Sequence, residues 1–152
     1  MDLQYELNEI VRIQSMYTEE ERYAIAHKYD DIYENLKDYI DEDEFYSIFN
    51  IINPIIDEYK EYFNFPRPYT LTNRIEPVYL ETAQTPTFPS GHSTQYWFLY
   101  LYLKKYKNID IKSIAKNGSF SRIIAGVHYK MDERAGINLA EIIFNKLEMS
   151  RT

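Results

Sequence analysis

No glycine precedes residue 91, and over that stretch the apolar residues recur at helical intervals rather than alternating as in strands. Hairpin turns lean on glycine for their left-handed positions, so a chain that lacks it folds its first half into helices joined by capped breaks. The expectation is an all-α, single-domain bundle of about six helices over residues 1–152. A first helix is predicted from Leu3 to Tyr17, with Leu3, Leu7, Ile10, Val11 and Gln14 on one face. Thr18 and Glu21 form a capping-box pattern that opens a second helix running to about Tyr39. The acidic run at 41–44 suits the positive end of a third, which continues to Phe63 with a kink or break near Asn53, ahead of Pro54. Residues 64–92 hold five of the six prolines and no helical period, and read as a long ordered loop of the kind that carries function. Three further helices are predicted, over about Ser93–Lys107, Asp110–Gly126 and Asp132–Glu148.

Composition narrows the function. At 152 residues and 45% hydrophobic, with 16 Tyr and 8 Phe, the chain can bury a ring-rich core without staples. It has no cysteine, which removes disulfides, thiol catalysis and cysteine-based zinc sites. A net charge of −7 argues against nucleic acid as a partner, so any anion site must be local. The N-terminus is acidic where a signal peptide is basic, and the longest apolar run, residues 96–103, falls well short of the roughly 20 residues of a spanning helix. A soluble, cytoplasmic protein with no transmembrane segment is expected, with an aromatic surface that leaves room for a homodimer.

Three blocks carry chemistry. In "KEYFNFPRP", Lys60 falls in the last turn of its helix, and Arg67 lies between Pro66 and Pro68, which hold its backbone extended. A guanidinium on a stiffened backbone suits an oxyanion, although a helix-end lysine and a surface arginine are the commoner reading of such residues. In "TFPSGHST", the Ser90 hydroxyl, the Gly91 amide and the first N–H groups of a helix converge beside His92, a ready anion site with a proton donor next to it. The plainer alternative is a turn with Ser90 or Ser93 as N-cap. In "SRIIAGVHYKMD", His128 and Asp132 are four residues apart, so a helix through both lets the carboxylate orient the imidazole. Ser121 and Arg122 lie off that face, so either Gly126 breaks the helix or two elements meet there. His27 has no motif around it and reads as structural.

Together the blocks read Lys-x6-Arg-Pro, Pro-Ser-Gly-His and Ser-Arg-x5-His-x3-Asp, eleven positions between Lys60 and Asp132. This resembles the signature of the type 2 phosphatidic acid phosphatase superfamily, which also contains class A acid phosphatases and vanadium haloperoxidases. The trailing Ala135-Gly136 is similar too, and the short interval from His92 to Ser121 implies a trimmed helix connection near Asn108. The resemblance implies an active site at helix ends in which Lys60, Arg67 and Arg122 hold phosphoryl oxygens. Ser90, Gly91 and Ser121 would complete that cradle. It further implies that His128 attacks phosphorus, Asp132 orients it, and His92 protonates the leaving group, with no metal or other cofactor. The activity implied is hydrolysis of a phosphorylated small molecule by a phosphomonoesterase. A lipid phosphate or polyprenyl pyrophosphate is the alternative, with Arg74 meeting a second phosphate and Tyr69, Leu71, Ile75, Val78, Tyr79 and Leu80 a lipid tail. A vanadium haloperoxidase and an inactive phosphate-binding module are weaker readings, the latter because binding alone needs neither histidine.

Overall fold

A computed structural model describes residues 2–151, and among them the chain is all-helical. Seven helices occur: α1 Leu3–Gln14, α2 Glu19–Asp30, α3 Ile32–Leu36, α4 Glu42–Phe63, α5 Gly91–Lys107, α6 Lys112–Ile124 and α7 Lys130–Arg151. Five begin on side-chain caps, at Asp2, Thr18, Asp31, Asp41 and Ser90, and the Thr18–Glu21 capping box forms in full. The expected second helix divides. Asp31 leaves helical geometry and caps Glu34 N–H, which starts the short α3 and turns the chain across the bundle. At Pro54 the reverse holds: α4 runs through it unbroken. The proline is exposed, so the carbonyl it leaves without a helical donor faces solvent and loses little.

The aromatic run predicted as a buried helix is α5, which packs chiefly on α6 and α7 and buries Tyr96, Phe98, Leu99, Tyr100 and Leu103. It ends at Asn108 in the left-handed conformation, and three residues lead to α6, the trimmed connection expected there. Glycine is demanded where elements meet. Gly126 ends the α6 segment at φ +75°, so α6 and α7 meet across it rather than forming one helix. Gly118 faces Tyr96, and a Cβ there would come within 2.4 Å of the ring. That ring is fully buried and anchored, its hydroxyl donating to the Tyr29 carbonyl and accepting from Asn35. Gly118→Ala is therefore expected to destabilise the protein by about 1–3 kcal/mol, overpacking outweighing the gain in helix propensity, as a fall in the urea midpoint would show.

The loop between α4 and α5 is ordered throughout. Thr87 N–H donates to the Phe65 carbonyl, Val78 N–H to Ala125, and Ser90 N–H to the Asp132 carbonyl at the start of α7. Gln14 on α1 is buried and bonds both the Glu76 backbone and the Ile124 carbonyl, tying the loop to α1 and α6. The loop carries the phosphate-binding candidates against the N-terminal ends of α5 and α7 for that reason.

Candidate active site

A cleft of about 540 Å³ opens along α4, where α3, the loop, and the facing ends of α2, α5 and α6 converge. Lys60, Arg67, Gly91, His92, Arg122 and His128, separated by up to 68 positions in sequence, all line it. Lys60 and Arg67 are buried, yet neither pairs with a carboxylate among the described residues. Lys60 Nζ donates to the Pro86 carbonyl at 2.7 Å. Arg67, extended between its prolines as predicted, donates Nε to the Thr85 carbonyl at 2.8 Å and Nη1 to the Val127 carbonyl at 3.0 Å. Arg122 is almost wholly enclosed; it donates to Asp30 Oδ1 at 2.9 Å and to Thr82, and its Nε–H has no partner.

Gathering three cations away from water depresses all of them. Burial, then the Arg67 charge, brings Lys60 down to about 7. Burial and Arg122 bring Arg67 to about 10, and burial brings Arg122 to about 10 against the pull of Asp30. The cleft holds positive charge in want of an anion.

The histidine tautomers follow from their neighbours. Arg67 Nη1 lies 2.9 Å from His128 Nε2, and a guanidinium can only donate, so Nε2 accepts and the ring proton resides on Nδ1. That proton points to Asp132 Oδ2 at 3.0 Å. Asp132 is fully buried near the start of α7, where Oδ2 also accepts from the Tyr129 N–H and from the Thr87 hydroxyl. His128 therefore precedes the helix instead of sharing it, and Asp132 reaches back to it as a third-position capping carboxylate does. Burial, reinforced by Arg67 and Lys60, holds the His128 imidazole well below its usual range, and it is uncharged at neutral pH. Burial pushes the Asp132 carboxyl up to about 7 against these hydrogen bonds.

His92 stands in the first turn of α5, its Nε2 2.7 Å from the Asp30 carbonyl and 3.4 Å from Asp30 Oδ1. Nε2 carries the donated proton, and Nδ1 is the nitrogen left to exchange one. Burial and the Arg122 charge lower His92 to about 4. Asp30 works against burial: His92, Thr82 and Arg122 keep its carboxyl well below the usual range. It holds Arg122 and His92 together.

Other predicted residues land elsewhere. Ser90 is buried, and its hydroxyl accepts from Ser93 N–H as the cap of α5. The Ser121 hydroxyl donates to the Gly118 carbonyl of its own helix and does not line the cleft. Arg74 is not brought to the cleft: it is exposed and donates to Asn8 at 2.8 Å, because the α1–loop contact through Gln14 carries it to that side. Of the residues offered for a lipid tail, Ile75, Val78 and Leu80 are buried against the core, while Leu71 and Tyr79 are exposed. His27 is exposed beside Tyr23. Sequence reasoning missed Asp30, Thr82, Thr85 and Thr87, which have no motif. The Asp31–Glu34 cap pattern was the available sign that the chain turns at Asp30 toward the site.

Among the described residues no helix is long and apolar enough to cross a membrane. No curated protein matches the chain. The family model of the PAP2 superfamily matches residues 45–145, a span that contains all eleven signature positions and both histidines of the cleft. With two thirds of its length matched and Lys60, Arg67, His92, Arg122 and His128 of the signature lining one cleft, the chain belongs to the PAP2 superfamily, a family of phosphatase-type hydrolases.

Proposed function

We propose that the protein hydrolyses phosphate monoesters through a phosphohistidine on His128. The observation that carries this reading is the enclosed cluster of Lys60, Arg67 and Arg122, paired with a single carboxylate and facing an uncharged imidazole whose Nε2 holds the lone pair. A phosphoryl group entering the cleft supplies the missing negative charge, and its oxygens accept from Lys60, Arg67, the Arg122 Nε–H and the Gly91 amide. Arg67 Nη1 exchanges His128 Nε2 for a phosphoryl oxygen and so uncovers the nucleophile. Nε2 forms the nitrogen–phosphorus bond as the ester oxygen departs, and His92 Nδ1 gives that oxygen its proton. The dianion raises His92 from its depressed value, so the acid is charged when substrate is present. Water then attacks phosphorus, passes its proton to His92, and the nitrogen–phosphorus bond breaks. Throughout, Asp132 holds the Nδ1 proton and balances the charge that grows on His128.

The test is release of inorganic phosphate from para-nitrophenyl phosphate in the presence of chelator, followed across pH. With substrate bound His92 is charged, so kcat is expected to follow a bell set by Asp132, which must be ionised, and Lys60, which must be protonated, both of which sit near 7 before substrate binds. The acidic limb rises as Asp132 loses its proton; the alkaline limb falls as Lys60 loses its own. Lys60→Arg keeps its charge, so the alkaline limb is expected to move up by more than about one pH unit with the acidic limb in place. Absence of phosphate release at every pH would overturn the phosphatase reading; an alkaline limb unmoved by Lys60→Arg would remove Lys60 from it.

A further inference from the structure

The cleft is much longer than a phosphate, and its far part has its own character. From Lys60 back along α4, the residues facing the cleft are Ile56, Asn53, Phe49 and Tyr46, one step of three or four at a time. Gly91 marks the phosphate level, since a Cβ there would touch Ile56 and Lys60 at 3.7 and 3.6 Å. At about 1.5 Å per residue, Asn53 lies about 5 Å beyond that level and Phe49 about 10 Å beyond it. The middle of the cleft is polar: Gln95 donates to Asn53 at 2.8 Å, which leaves each amide with hydrogen-bonding capacity to spare. The far end is aromatic, with Phe49 against Phe45 at 4.2 Å between centroids and Tyr33 on α3 lying 6.2 Å from Tyr46. Among the described lining residues, the charge in this outer part is the carboxylate of Asp31, whereas Asp57, between Ile56 and Lys60, lies at the phosphate end with every cation.

We infer that the cleft is built for the phosphate monoester of an alcohol that is polar next to the ester and carries a flat aromatic ring about 10 Å away. A nucleoside monophosphate has this shape. Sugar hydroxyls meet Asn53 and Gln95, and the base lies on the rings of Phe49, Tyr46 and Tyr33, a contact that tolerates any base because every base has a π-face. With the Asp31 carboxylate there and no cation beside it, the outer cleft opposes a second phosphate and is unsuited to a diphosphate. The inference rests on the phosphatase reading and adds the substrate class to it.

Adenosine 5′-monophosphate and ribose 5-phosphate share the same reacting alcohol and differ only in the ring, and decyl phosphate replaces ring and sugar by an alkyl chain of similar reach. The expected result is a kcat/KM for the nucleotide at least about tenfold above the other two, the difference lying in KM. Tyr46→Ala and Phe49→Ala are expected to collapse the nucleotide-to-ribose ratio toward one. Tyr46 is 50% exposed, so its truncation keeps the fold even if that of Phe49 does not. Equal constants for nucleotide and ribose phosphate, or a ratio unmoved by Tyr46→Ala, would overturn the aromatic subsite. Preference for decyl phosphate would overturn it in favour of an alkyl substrate. Turnover of para-nitrophenyl phosphate but of none of the three overturns this inference alone, whereas no turnover of any ester overturns the phosphatase reading and this inference with it.

Discussion

His128→Ala is expected to lower phosphate-ester turnover by about ten-thousandfold or more, the scale seen when a covalent nucleophile is removed. The side chain is 1% exposed, and with its Nδ1 proton held by Asp132 its lone pair stands on Nε2, beside Arg67 and the phosphate end of the cleft. Rapid-quench single turnover with labelled substrate distinguishes loss of the nucleophile from loss of the site. The native protein should yield a phosphoryl adduct that is labile to acid and stable to base, and the variant none. A variant that still turned over within about tenfold of the native rate would sink the covalent mechanism.

Asp132→Asn is expected to cost about 10³- to 10⁴-fold in kcat with the fold retained. The amide oxygen takes the place of Oδ2 and still accepts from Tyr129 N–H, the Thr87 hydroxyl and His128 Nδ1–H, so the start of α7 and the imidazole tautomer are kept. The NH₂ takes the place of Oδ1, which has no partner among the described residues. What is lost is the buried negative charge that balances the positive charge growing on His128 as its Nε2 attacks. Nitrogen-15 shifts of the imidazole should still report the Nδ1–H tautomer. If kcat stayed within about tenfold, the Asp132 charge would not be what supports the nucleophile; if the tautomer changed, the loss would lie in orientation instead.

What the sequence disclosed and what it hid divide along a physical line. Arg67, His92, Arg122 and His128 were legible because each sits in a short block in which proline, glycine or spacing restricts what the side chain can do, and all four line the cleft. Helix starts were legible where capping residues mark them, as at Thr18 and Asp41. Asp30 was not, because an acid at the end of a helix reads as a solvated residue until Arg122, 92 positions away, is brought against it. The threonines of the loop were hidden in the same way, through bonds such as Thr87 to Asp132 that only the folded chain forms. Ser121 and Arg74 failed oppositely: types that suit an anion site were spent on a helix carbonyl and on Asn8. Pro54 misled because its cost depends on whether the carbonyl it strands is buried, which local sequence does not state.

Asp30, Asp31 and Tyr33 stand on the front wall of the cleft yet precede the span matched to the family, residues 45–145. One wall of the proposed alcohol subsite, at Asp31 and Tyr33, is thus encoded outside the length that carries Lys60 to Asp132, and the two are joined through the Asp30 carboxylate on Arg122 and His92. Such a molecule is modular along its sequence: selection, or an engineer, can exchange the front wall around Tyr33 to admit a different alcohol while the phosphoryl machinery is inherited unchanged, provided the segment brought in restores an acid where Asp30 now stands.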